Sequence, residues 1–354
     1  MQLLEIEYLV QDGTAFALAP EVTALADAER SGFAGRVGAG VTDLLMNALG
    51  YTWRDNAACL SASLDPHADF IYGGGAVSTH GVVLAEAYGS FAQAVTDGRI
   101  RRESSAKYQR QVKPHIGSMC LHGKAVHGYS VAFGSRPTTY DTFLHVTETK
   151  ITKDRKKAAP PTTALSSLAP VATSLALASH RSNFLLMGAA RIVAWIDWLR
   201  SGGAPPAEDL WASFVTVQQG GQRFWVALEA LLPFVRPWAW PDKGPFWAWG
   251  AFERWRKVRP IDLDNIFAME EWAAKSFLST LSTMIAIGRE QMPATLELPI
   301  IEPSGLFTDR DRRGHDDDAR YPVAQFRDGL ALLGRLPRLE RPGRRIWSPR
   351  RGFN

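Results

Sequence analysis

The sequence predicts an α/β domain over residues 1–157, a linker at 158–172, a mainly α-helical, tryptophan-rich region over 173–333 and a basic tail at 334–354. Three observations carry this division. A chain of 354 residues is too long for one simple core and suits two. Short β-branched runs alternate with helical patterns in the first half, whereas apolar residues recur at helical spacing in the second. Between the halves stands Ala158-Ala-Pro-Pro-Thr-Thr-Ala-Leu-Ser-Ser beside a basic run, which is linker composition.

In chain order, residues 41–49 place Leu44, Leu45 and Leu49 at helical spacing. Residues 70–72 read as a short strand, with Gly73-Gly-Gly as a turn after it. Residues 82–88 are a strand of small and β-branched residues, and 104–112 are polar and helical. Two further strands follow at 129–133 and 142–147. In the second half, helices are expected over 175–199, 210–217, 224–232 and 266–289. Eleven of the twelve tryptophans lie at or after Trp195, densest in Pro237-Trp-Ala-Trp-Pro and Phe246-Trp-Ala-Trp, where packing between helices is the first reading and base stacking the second.

Composition narrows the class. The first residues lack the basic start of a signal peptide, and the best apolar stretch, 184–199, is interrupted by Arg191 and Asp197. No membrane association is expected. Two cysteines, Cys59 and Cys120, make no disulfide framework, and a cytoplasmic setting is the simplest expectation. The formal net charge is +4, yet the segment from Gly334 onward carries +6 and leaves the rest at −2. That tail, with Arg344, Arg345, Arg350 and Arg351, and the run Lys150, Lys153, Arg155, Lys156 and Lys157 could attract a polyanion or simply be solvated.

One constellation carries chemistry: Asp69-Phe-Ile-Tyr, then Val82-Val-Leu-Ala-Glu86-Ala-Tyr88. An acid heads one strand and a second lies inside the next. Side chains alternate along a strand, so Glu86 and Tyr88 share a face. A turn between the strands would bring Asp69 beside Glu86, and paired carboxylates suit Mg2+ or Mn2+. Either acid could instead face solvent or pair with a lysine.

This arrangement, over roughly residues 37–150, resembles the PD-(D/E)XK, or restriction-endonuclease-like, nucleases. In that family a helix precedes the strands, an Asp lies on one strand and an acid-x-Lys motif on the next. A helix with Gln or basic residues and two more strands follow. Here His67-Ala-Asp69, Glu86-Ala-Tyr88 and Lys107-Tyr-Gln109-Arg-Gln111-Val-Lys113 stand at those places. The resemblance implies a mixed sheet flanked by helices and a Mg2+- or Mn2+-dependent endonuclease or exonuclease acting on DNA or RNA, with Asp69 and Glu86 as metal ligands. Asp43, on the first helix, could be a third ligand or an exposed helix residue. Two positions depart from the pattern: Ala68 precedes Asp69 where the family often has Pro, and Tyr88 replaces the lysine. A phenol of pKa near 10 cannot replace a cation. Some relatives supply the lysine from the following helix, so Lys107 takes that role here, with Gln111 one turn on and Lys113 as second choice. The alternative is an inactive nucleic-acid-binding or assembly subunit, with the Trp-rich helices meeting a protein partner or a second copy.

Rival signals are weaker. His115, Cys120, His122 and His127 are zinc-ligand types in no recognised spacing. Gly35-Arg-Val-Gly-Ala-Gly40 reads as a flexible helix start rather than a phosphate cradle. The mixed-charge run 309–318 reads as a solvated loop.

Overall fold

The computed structural model describes residues 9–11, 16–60, 66–75, 81–139, 141–150, 167–207, 211–219, 221–228, 266–302, 324–333 and 344–353. The chain divides into two compact units, Met1–Thr163 and Ala164–Asn354. Among the described residues, no helix is long and apolar enough to cross a membrane.

The first unit is built on a long helix, α1 (Asp27–Ala48), and three strands in an antiparallel meander, β1 (Trp53–Asn56), β2 (Phe70–Gly73) and β3 (Val82–Ser90). A second helix, α2 (Asp97–Lys107), continues as a π-helical turn, Tyr108–Val112, and a 3-10 turn, Lys113–His115. Then come β4 (Met119–Cys120), β5 (Gly123–Ser135) and β6 (Thr142–Glu148). The crossover through α2 returns β5 parallel to β3, while β4 and β6 pair antiparallel to β5 on its other side.

Helix α1 starts well before the glycines at 35–40, which correct the expected flexible start: they lie in mid-helix. Asp27 and Glu29 place acids in its first turn, and Glu29 also accepts from the Ala26 N–H at 3.2 Å. Gly38 among them, with Gly89 of β3, serves packing. A Cβ on Gly89 of β3 would sit 1.7 Å from the Ala34 oxygen, and one on Gly38 would sit 2.7 Å from the Gly89 nitrogen. Only glycine lets the helix rest backbone-to-backbone on β3. That side of the sheet is closed by Phe33, Ala34, Phe91 and Phe133 and by Met46, Tyr72, Val83, Ala85, Tyr129 and Val131. The opposite side packs on α2 through Val95, Ile100 and Ala132, with Tyr88 against them.

The second unit differs from the sequence expectation. Its described residues form a mixed structure, not a mainly helical one. It begins with β7 (Ser167–Ala172), followed by α3 (Thr173–Leu186) and α4 (Ala190–Ser201). The hairpin β8 (Ala212–Gln219) and β9 (Gln222–Ala227) comes next, then β10 (Ile266–Glu270) and α5 (Glu271–Ile287). The chain closes with β11 (Thr295–Ile300), β12 (Ala324–Gln325), β13 (Leu330–Leu333), β14 (Arg344–Ser348) and β15 (Gly352–Phe353). Seven of these strands make one sheet, in the order β12-β13-β10-β9-β8-β14-β15, and β11 pairs with β7.

Each correction has a local reason. The segments expected as helices at 210–217 and 224–232 hold the strands β8 and β9, because Phe214, Val215, Val217, Phe224, Trp225 and Val226 are aromatic or β-branched and Gly220-Gly221 separates the runs. Gln219 faces Gln222 across the turn, and Gly221 has φ +77°. The expected helix 175–199 is two helices, broken where Gly188 takes φ +72°. The expected helix 266–289 is a strand followed by a helix, since Glu270 leaves helical geometry and its side chain caps Ala273 N–H at 2.9 Å.

The expected linker is part structure: β7 occupies 167–172, and 158–166 lie outside the described residues. The segment expected as a basic tail, 334–354, is part of the second sheet where it is described. β14 pairs with β8, and Trp347 is fully buried, its indole N–H donating to the Leu278 carbonyl at 3.0 Å and to the Ser282 hydroxyl at 2.9 Å. The Trp-dense stretch at 237–249, the charged run 309–318 and Lys153, Arg155, Lys156 and Lys157 lie outside the described residues.

Candidate active site

Strands β2 and β3 pair with Phe70 opposite Ala85 and Tyr72 opposite Val83, so one step further sets Asp69 opposite Glu86. β2 begins there, and the Asp69 side chain takes over the ladder: Oδ2 accepts from the Ala87 N–H at 2.9 Å. The Asp69 carbonyl accepts from the Ala57 N–H at 2.9 Å. One carboxylate is therefore tied to the backbone of the strand that carries the other.

Glu86 is the fifth residue of β3, between β2 and the parallel β5, and is fully buried. Val83 and Ala85 pack toward α1, so strand alternation turns Glu86 and Tyr88 toward α2. Lys107 closes α2 at that point. Its ammonium donates to Glu86 Oε1 and to Gln111 Oε1, the latter at 3.2 Å, and lies 5.8 Å from the centre of the Tyr88 ring. The Gln111 amide nitrogen in turn donates to the His67 carbonyl at 3.4 Å. Only this amide orientation satisfies both ends, because an ammonium has no acceptor and a carbonyl no donor. One turn on, His115 Nε2–H donates to the Pro66 carbonyl at 3.0 Å. The helix thus grips the segment that delivers Asp69.

The electrostatics follow from burial. Desolvation pushes the Glu86 carboxyl up to about 7; the Lys107 hydrogen bond and charge oppose the shift, and the neighbouring Asp69 adds to it by charge and by hydrogen bonding. Glu86 Oε2 is buried with no donor to it among the described residues. A proton shared with Asp69, a water or a cation would satisfy that oxygen. Two carboxylates with one unsatisfied oxygen are a donor set that fits Mg2+ or Mn2+, which fill their remaining positions with water and phosphate oxygens. Among the described residues no group of three or more His, Cys, Asp or Glu gathers.

Asp43 does not join them. It lies on α1, on the side of the sheet away from Glu86, where Oδ1 accepts from the Tyr72 hydroxyl at 2.9 Å and Oδ2 pairs with Arg54. It holds α1 to β1 and β2, so the expectation of a third ligand is corrected. The histidines are spread as well. His122 pairs with Asp55 at 3.0 Å, His127 is buried against Tyr129 with Glu148 at 3.8 Å, and His115 serves the Pro66 carbonyl.

Of the expected nucleic-acid contacts, Lys113 is exposed on the 3-10 turn and bonded to Gln109 at 3.0 Å. Arg344, Arg345, Arg350 and Arg351 belong to the second unit, in β14 and the turn before β15. Arg345 lines a cavity of about 570 Å³ there, beside Glu270 and Glu271.

Sequence reasoning missed two contributors. His115, a zinc-ligand type in the sequence, belongs with Lys107 and Gln111, which recur every four residues with it, the spacing of one helical face. Tyr88, which in the sequence is only a departure from the lysine, lies with its ring against Lys107, and no local signal marks that contact. No protein-family model, curated protein or solved structure matches this chain.

Proposed function

We propose that the first unit is a metal-dependent nuclease core acting on DNA or RNA phosphodiesters, a PD-(D/E)XK-like site whose strand lysine is replaced by Lys107. One observation carries the reading: the Lys107 ammonium is bonded to Glu86, and Glu86 faces Asp69 across two neighbouring strands. Three charged groups from three elements meet at one point. The element order supports it too, with a helix before the strands, Asp69 at the head of β2, Glu86 on β3, then the helical segment carrying Lys107 and Gln111, the short β4 and the longer β5 and β6.

A divalent ion bound by Asp69 and Glu86 would supply Lewis acidity at the scissile phosphate. The chain's own groups do the rest. Lys107 sets a positive charge where negative charge grows on a phosphate, which is the service the missing strand lysine would perform. Tyr88 and Gln111 hold that ammonium over Glu86. Asp69, fixed by the Ala87 N–H, keeps its place as charge develops. With the Lys107 ammonium on one oxygen of Glu86, the other would be left for the ion.

The test is cleavage of plasmid, linear and single-stranded substrates with Mg2+ or Mn2+ and with chelator, beside Asp69→Ala and Glu86→Ala. Metal-dependent cleavage that disappears in both variants supports the reading. Salt-dependent binding without cleavage turns it into a nucleic-acid-binding protein on the same framework. Neither binding nor cleavage removes both readings.

A further inference from the structure

The cations on the second helix make a pattern that the site itself does not use. Between residues 99 and 113 the chain carries Arg99, Arg101, Arg102, Lys107, Arg110 and Lys113 against one acid, Glu103. Ile100, Ser104, Tyr108 and Val112 are buried at intervals of four and fix the inward face. Positions 99, 102, 106, 110 and 113 follow spacings of three and four, so they form a stripe on another face of the same helix. All five are exposed. Lys107 and Gln111 lie between the stripe and the buried face, where they reach Glu86 and His67.

The stripe is not neutralised. Arg101 has Asp97 at 3.9 Å, but Arg99, Arg102, Arg110 and Lys113 pair with no carboxylate among the described residues. Four unpaired cations along about 20 Å of helix repel one another, an arrangement that an external polyanion relieves. Arg110 and Lys113 stand within the turns that carry Lys107 and Gln111, so the end of the stripe and the site share one stretch of helix.

We infer that this outward face of α2, with Arg99, Arg102, Arg110 and Lys113, is a docking surface for the phosphate backbone of a nucleic acid. The choice of ligand rests on the nuclease reading; the surface itself rests on charge and exposure. It moves the main phosphate contacts to the first unit and away from the arginines at 344–351.

The experiment reads binding without chemistry. A fluorescein-labelled DNA duplex of about 20 base pairs is titrated in chelator over ~0.05–0.2 M salt, following anisotropy. The protein is compared with the quadruple variant Arg99→Gln, Arg102→Gln, Arg110→Gln and Lys113→Gln, and with a second-unit control, Arg345→Gln together with Arg223→Gln, Arg223 being an exposed β9 residue 3.6 Å from Glu271. Glutamine keeps helix propensity, and circular dichroism checks the fold. The quadruple variant should bind at least about tenfold more weakly at ~0.1 M salt, with the slope of log K against log salt reduced by about 3–4, while the control matches the wild type. An unchanged slope in the quadruple variant, an equal loss in the control, or no salt-dependent binding by the wild type overturns the surface. Cleavage is scored separately. A wild type that binds through the stripe but never cuts retains the surface and loses the nuclease reading, whereas cutting indifferent to the stripe does the reverse.

Discussion

Glu86 is a buried acid whose single described donor is Lys107, and both facts are measurable. Its carboxyl titrates at about 7 in the folded chain against 4.5 in the open one. Below 4.5 it is neutral in both states and changes nothing. As pH rises toward 7, the unfolded chain gives up its proton while the folded chain keeps it, so stability falls; above 7 the loss is constant. That loss is about 3 kcal/mol. In chelator, the urea midpoint should therefore drop between pH 5 and 8, and Glu86→Gln should flatten this part of the profile. Equal slopes in the two proteins would refute the assignment. On the proposed nuclease reading, Lys107→Ala should slow metal-dependent cleavage about a hundredfold or more, and adding Tyr88→Lys should restore part of the rate, because position 88 faces the same pocket. A Lys107→Ala enzyme as fast as the wild type would remove Lys107 from the chemistry.

At the level of elements, two contacts hold the site in shape. The first is the seat of α1 on β3. Gly89→Ala would drive a methyl into the Ala34 carbonyl, so it should cost about 2 kcal/mol or more, seen as a lower thermal midpoint. A neutral result would mean that α1 does not lie on β3 as described. The second is the clasp between helix and loop. Removing Gln111 and His115 together should leave the fold cooperative but loosen Asp69, since both side chains hold the Pro66–His67 backbone. If Asp69 and Glu86 hold the proposed ion, manganese affinity, followed by calorimetry, should fall roughly tenfold to a hundredfold. Wild-type affinity in that variant would show that Asp69 is held by the Ala87 N–H alone.

For the whole molecule, each unit has a core of its own. Residues 1–163 enclose the carboxylate pair, Lys107 and both layers of helix around the first sheet. That fragment should unfold cooperatively by circular dichroism, and a chain unable to fold without the remainder would show that the units are interdependent. In the second unit, the last residues are structural. Trp347 is fully buried with its indole nitrogen bonded twice, so Trp347→Ala should destabilise this unit by about 3–5 kcal/mol, and ending the chain at 343 should unfold it. A truncated chain with an unchanged urea transition would restore the reading of 334–354 as a solvated tail.

The sequence by itself determined the two-part organisation, the strands around Asp69 and Glu86, the shared face of Glu86 and Tyr88, and the four-residue step from Lys107 to Gln111. These are local or periodic properties, set by backbone geometry within a few residues. Tertiary structure alone decided the remainder. Whether Lys107 reaches Glu86 depends on a crossover that packs α2 on one side of the sheet, and Asp43 was lost to the site because α1 packs on the other. The strands at 212–219 and 222–227 were read as helix because apolar runs of that length fit either period, and pairing with β10 and β14 settled it. Contacts between residues far apart in the chain are made by packing free energy, which no local window of sequence contains.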